Sequence, residues 1–276
     1  MSGQVNKAKK TPADPRPARL RVRPITTVMR AELKSFWSGA SSGVALLVFL
    51  GLLGFFFYNS LAVYMVDSLG AAARGMALDA SVALFSQGLT HIPLVLMLVT
   101  PLVTMRSLAP YRRGGDLDFF QTLPVGGGGL IVGQYLAALV SLSLMSILAL
   151  VPFAILTLAE VGSLTLILTT GLGLLVLSSA FAAVGLWASA AFPSPVGAGL
   201  GTLGGLGLMW VLGWAVPYTE SGWGFVWAGL AFAPRFSRLA VGLIDLSDLL
   251  FFVVITLAAL FNARLWLNLR RQNGAD

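Results

Sequence analysis

Few residues in this chain are of a type that does chemistry, and they stand far apart. The single histidine is His91, cysteine is absent, and only 11% of the 276 residues are charged. Without cysteine there is no thiol nucleophile, no disulfide and no thiolate metal site. One histidine cannot build an H-E-x-x-H zinc helix, and no G-x-x-x-x-G-K-[ST] phosphate loop is present. The run Gly126–Gly129 has the look of a phosphate loop. No Lys follows it and no strand precedes it, so it is expected to be a flexible entry into a helix that needs no ligand. The chain is therefore expected not to be an enzyme, to bind no cofactor or metal, and to be unable to hydrolyse ATP by itself.

The elements account for this shortage. Hydrophobic residues make up 57% of the chain, and its charged share is far below the roughly 25% of a soluble domain. The bilayer is its main solvent. Apolar runs over 44–66, 83–105, 130–156, 163–190, 196–217 and 248–268 can each cross a hydrocarbon core that needs about 20 helical residues. The predicted fold class is an all-α integral membrane protein with six transmembrane helices. Pro93, Pro101, Pro152 and the glycines of 197–207 interrupt the runs, which membrane helices tolerate.

Within these spans the ionisable side chains away from the ends are His91 and, near the last boundary, Arg264. Proton-coupled carriers, ion pumps and intramembrane proteases keep acidic or histidine side chains at the midplane. Their absence argues against those classes. His91, about two turns into the second span, is expected to be packed or interfacial rather than functional.

Residues 1–23 are basic and almost free of large apolar groups, so they are expected to be a flexible tail. From Pro24 the pattern changes. Ile25, Val28, Met29, Leu33, Phe36 and Trp37 recur at spacings of three and four, with Thr26, Arg30 and Lys34 opposite. This predicts an amphipathic helix over 24–39, lying in the headgroup layer or, alternatively, docked on protein as a soluble amphipathic helix would be, with Pro24 in its first turn. The membrane domain then occupies 40–270, and 271–276 form a second tail.

The net charge of +7 and the pI near 10.2 do not point to nucleic acid, because the positive charge is sorted by side. Nine Lys and Arg fall in 1–39, three in 106–128 and three from Arg264 onward; the other face receives Arg74, Arg235 and Arg238. With an even number of spans, this bias predicts that both termini are cytoplasmic.

Two connecting segments are unlike the rest. In the loop after the second span, Leu117, Phe119, Phe120 and Leu123 are apolar groups rimmed by Arg112, Arg113, Asp116 and Asp118. That combination suits a docking surface on a protein partner or rings seated in the headgroup layer. Residues 218–247 are too long and too apolar for a solvated loop, with Trp223, Phe225, Trp227, Leu230 and Phe232, and predict short re-entrant or interfacial helices. Asp245 or Ser247 is expected to cap the last helix.

The first segment, RRGGDLDFFQTLPV, resembles the layout of type 2 ATP-binding-cassette (ABC) export permeases: a basic pair, a Gly, an acidic Leu-rich turn and a Pro-Val before the third span. Members usually carry acidic residues just before the basic pair, where this chain has Pro110 and Tyr111, so no salt bridge is carried over there. The second segment, RFSRLAVGLIDLSDLLFF over 235–252, is similar to the gliding-motility subgroup, with Val241 where those permeases often have a basic residue.

The resemblance implies a half-transporter without its own ATPase motifs. Two such chains, identical or related, would sit above two separate ABC ATPase subunits that bind ATP and Mg. The ATPase-coupling loop would comprise Arg112, Arg113, Gly115, Asp116, Leu117, Asp118, Phe119, Phe120, Leu123 and Pro124. The extracytoplasmic segment before the last span would comprise Arg235, Phe236, Arg238, Gly242, Asp245 and Asp248. The expected location is a prokaryotic inner membrane, and a membrane protein with an extracytoplasmic domain is a further partner. A non-transport scaffold recruiting a cytoplasmic partner, or a lipid-active intramembrane enzyme, is the alternative.

Overall fold

A computed structural model describes residues 24–76, 80–108, 127–215 and 229–273. The helices are α1 (Pro24–Ser38), α2 (Ala40–Ala73), α3 (Ala80–Thr104), α4 (Gly127–Leu158), α5 (Leu164–Ala191), α6 (Pro195–Ala215), α7 (Ala233–Ala240) and α8 (Leu246–Asn273). Among the described residues six helices, α2 to α6 and α8, are long and apolar enough to cross a membrane. The protein is an all-α, multi-pass membrane protein. Below, the face where α2 begins and α8 ends is the terminal face, and the other is the distal face.

Helix α5 is apolar around its whole circumference, and such a helix belongs inside a bundle. It packs against α3, α4, α6, α7 and α8. Its small residues let neighbours come close: Leu239 of α7 lies on Gly173, and a Cβ at Gly185 would run into Thr104 of α3. Helix α3 is the second central element, and α2, α6 and α8 form the outside. Where α2, α3 and α4 meet toward the distal face, Phe57 and Phe85 stand edge-on to Phe153 at 5.6 and 5.5 Å.

Several hydroxyl groups inside the spans are satisfied locally, as a medium without water favours, whereas Gln134 Oε1 and Trp187 Nε1 are buried without a hydrogen-bond partner. Thr100, Ser141 and Thr202 return their hydroxyls to the carbonyls of Leu96, Ala137 and Ala198 one turn back. A hydroxyl chain crosses three helices: Tyr135 Oη is 2.7 Å from Ser179 Oγ, which is 3.1 Å from Thr256 Oγ1.

Several boundaries differ from the sequence expectation. Helix α2 has 34 residues, about 51 Å at 1.5 Å per residue, against a hydrocarbon core of about 30 Å. It is therefore longer than an upright crossing of that core requires. Gly127–Gly129 are the first turn of α4 rather than a flexible entry, and α8 continues through 271–273 of the expected tail.

Candidate functional site

At the distal face the chain re-enters the bundle through α7. Pro234 opens this helix and Gly242 closes it, with φ at +88°. There the Gly242 amide donates to Leu239 O at 3.1 Å and the Leu243 amide to Arg238 O at 2.9 Å. This is a Schellman turn, and the left-handed residue it needs is most easily a glycine. Asp245 then starts α8, its Oδ1 accepting from the Ser247 amide at 2.9 Å. The cap is thus Asp245 and not Ser247.

These two turns bring Asp248, in the first turn of α8, beneath α7. Its side chain is fully buried. Arg235 Nη1 donates to Oδ1 at 3.1 Å, and Arg238 donates Nε to Oδ2 at 2.8 Å and Nη2 to Oδ1 at 2.5 Å. Arg235 also donates to Gly229 O at 3.3 Å and lies 4.3 Å from the centre of the Phe251 ring. The Arg238 guanidinium is held above its ordinary pKa, chiefly by its hydrogen bond with Asp248 and further by the charges of Asp248 and Asp245. Phe236 is buried beside them, in contact range of Gly173. All six residues expected to matter before the last span therefore belong to one folded unit: two cations on one buried carboxylate, held by a turn and a cap. Nothing in it is arranged as an acid–base pair for catalysis.

Arg112, Arg113, Gly115, Asp116, Leu117, Asp118, Phe119, Phe120, Leu123 and Pro124 lie outside the described residues, as do 1–23 and 216–228. The root of that loop is described. The Leu108 amide donates to Ser189 Oγ of α5 at 2.9 Å, and Gln134 Nε2 of α4 donates to Ser107 O at 2.6 Å. Leu108 is buried among Ile131, Leu186 and Ala190. The chain leaving α3 is thereby fastened to both α4 and α5.

Helix α1 packs on α4, where Gly133 admits Val28; a Cβ there would stand 2.7 Å from Val28 Cγ1. Between α1, the end of α3 and α4 lies a cavity of about 100 Å³ whose lining includes Glu32, Ser35, Ser41, Arg106, Ser107 and Ser141. Burial pushes the Glu32 carboxyl up to about 7. Glu32 is absent from the sequence expectation, yet it stands midway between Val28 and Phe36 at a spacing of four. An acidic residue in an apolar stripe was the available signal.

His91 is packed, with its ring 4.9 Å from that of Phe56 and Nδ1 bonded to Gln87 O one turn back. The run Gly39-Ala40-Ser41-Ser42-Gly43 has the spacing of a G-x-S-x-G nucleophile elbow. Gly39 instead separates α1 from α2, and Ser41, which would hold the nucleophile position, lies in the first turn of α2. The run follows a helix, not a strand, and is a helix junction. Compared with known proteins, the chain matches no family model and no curated sequence.

Proposed function

We propose that the protein is the membrane-spanning permease subunit of an ATP-driven ABC exporter, working with separate ATPase subunits and a second permease chain. Apart from the buried Asp248 and its two arginines at the distal end, the six-span bundle keeps charge out of its interior, and nothing in the sequence offers an energy source of its own. The observation that best supports the reading is the fastening of Ser107 and Leu108 to α4 and α5. Force applied to the loop they introduce would reach three helices at once. Closure of an ATPase pair would press on 106–125 and, because packed helices shift as units, would rearrange the bundle.

The sorting of Lys and Arg supports cytoplasmic termini, so the loop would face the ATPases and the Arg235–Asp248–Arg238 unit would face outward. The location would be a prokaryotic inner membrane. The charge-poor interior favours an apolar or amphipathic cargo, or a mechanical signal to an extracytoplasmic partner as in the gliding-motility subgroup, over a small ion.

The test is co-purification. Phe119→Asp together with Phe120→Asp is expected to abolish association with a nucleotide-hydrolysing subunit while membrane insertion is retained. Undiminished co-purification would remove the docking assignment, and the exporter reading with it.

A further inference from the structure

The cavity between α1, α3 and α4 joins a carboxylate and a guanidinium at one end of the spans. Arg106 follows the end of α3 by two residues, and α1 leads directly into α2 across Gly39. The cavity therefore sits at headgroup depth. Leu33, Phe36, Leu102 and Val103 supply apolar wall, and four serines supply hydroxyls. Its volume of about 100 Å³ is several times the room one water needs, on the order of 10–15 Å³. Among the described residues neither Glu32 nor Arg106 is in an ion pair, and Glu32 has no hydrogen-bond partner. An acidic side chain placed in an apolar stripe without a partner is costly unless something satisfies it.

We propose that this cavity binds a phosphoethanolamine group, its primary ammonium on Glu32 and its phosphate on Arg106, supplied by an aminophospholipid of the surrounding leaflet. The chemistry separates close relatives. A primary ammonium brings three N–H donors to the carboxylate, whereas a trimethylammonium brings none and is bulkier. A glycerol headgroup brings no cation. The guanidinium matches a phosphate in shape and charge, and the apolar walls accommodate the start of the acyl region.

The experiment uses the full-length protein in nanodiscs made from equal parts of phosphatidylethanolamine, phosphatidylcholine and phosphatidylglycerol. Lipid that stays with the protein on gentle detergent extraction is measured by native mass spectrometry. The wild type is expected to retain phosphatidylethanolamine over phosphatidylcholine by about tenfold, the equivalent of one charge-assisted hydrogen bond. Glu32→Gln is expected to erase that preference without lowering the melting temperature. Arg106→Gln is expected to lower retention of all three lipids together. Soluble phosphoethanolamine in excess distinguishes the source: failure to displace the lipid supports the leaflet, and full displacement overturns the lipid assignment in favour of a free metabolite of the same chemistry. Equal retention of the ethanolamine and choline lipids, or a preference that survives Glu32→Gln, would overturn the site.

Discussion

Arg238 meets Asp248 fork to fork, Nε on Oδ2 and Nη2 on Oδ1, and so ties a short distal helix to the first turn of the sixth span. Asp248 is fully buried, while the Arg238 side chain is 45% exposed and that of Arg235 18% exposed. Removing the carboxylate would leave Arg235 as a mostly buried cation with one carbonyl and one ring for company. Breaking a buried pair from one side costs about 3–5 kcal/mol. Asp248→Ala is therefore expected to lower the melting temperature sharply in detergent. Arg238→Lys, which keeps charge but loses the fork, is expected to cost about 1 kcal/mol. Equal, small effects of the two would mean that the cluster does not hold α7 in place.

The packing of His91 leads to the opposite expectation. Its ring fills space beside Leu53, Phe56 and Phe153, and its Nδ1 bond stays within one helical turn. His91→Phe is expected to change stability by less than about 1.5 kcal/mol, as volume-conserving swaps do, and to leave ATP-dependent activity of an assembled complex intact. Loss of activity in a well-folded His91→Phe protein would give the histidine a function that its surroundings do not suggest.

Helix α1 depends on Gly133. A Cβ there would stand 2.7 Å from Val28 Cγ1 and 3.1 Å from Ile25 O, and the backbone carbonyl cannot rotate away. Gly133→Ala is expected to cost about 1–3 kcal/mol through overpacking, and Gly133→Leu to undock α1. Proteolysis within 24–38 reports this directly: faster cleavage in the leucine variant supports the docking, and unchanged cleavage contradicts it.

Glu32 gives the protein a pH dependence whose sign is fixed by burial. Its carboxyl lies near 7 against an ordinary 4.5, so between those values the folded state holds a proton that the unfolded chain has released. Stability then falls as pH rises through that window and levels off above it, by at most about 3 kcal/mol. Arg106 is the other charged residue lining the cavity. Glu32→Gln has nothing to titrate there, so its melting curve, subtracted from that of the wild type between pH 5 and 8, isolates the contribution. In detergent free of aminophospholipid, a difference that stays flat, or one that favours the wild type at high pH, would contradict the burial.

The spans were legible in the sequence because a bilayer admits so little else: long apolar runs with satisfied backbones leave no second choice of element. The amphipathic period placed α1, and the short Asp-Leu-Ser-Asp run announced a cap. The pairing of Asp248 with Arg235 and Arg238 was not legible. It depends on a reversal at Gly242 that turns positions ten and thirteen residues apart toward each other, and no helical or strand period encodes it. Glu32 was hidden for another reason: reading a stripe by its apolar members passes over the one polar member it contains. The full length of α2 escaped because hydropathy marks the apolar run, not where the helix stops.

The glycines of α6 divide by what stands beside them, and this separates the inside of the protomer from its outside. A Cβ at Gly201 would strike the Phe192 ring, and one at Gly213 would stand 3.2 Å from Pro234 Cδ, whereas at Gly204 and Gly207 it would meet nothing within 4 Å. Leu200, Leu208 and Val211 of the same helix are exposed. In lipid, helices associate where small residues let backbones approach, since apolar bulk gains nothing over the acyl chains. If a second permease chain packs here, Gly204→Leu with Gly207→Leu should leave the melting temperature of the single chain unchanged, because the space is open. The same pair of substitutions should reduce cross-linked dimer in native membranes. Gly201→Leu would meet the outer end of the exposed Phe192 ring, which can swing aside, so it should cost the fold little. A double variant that cross-links as well as the wild type would move the contact between copies to another helix.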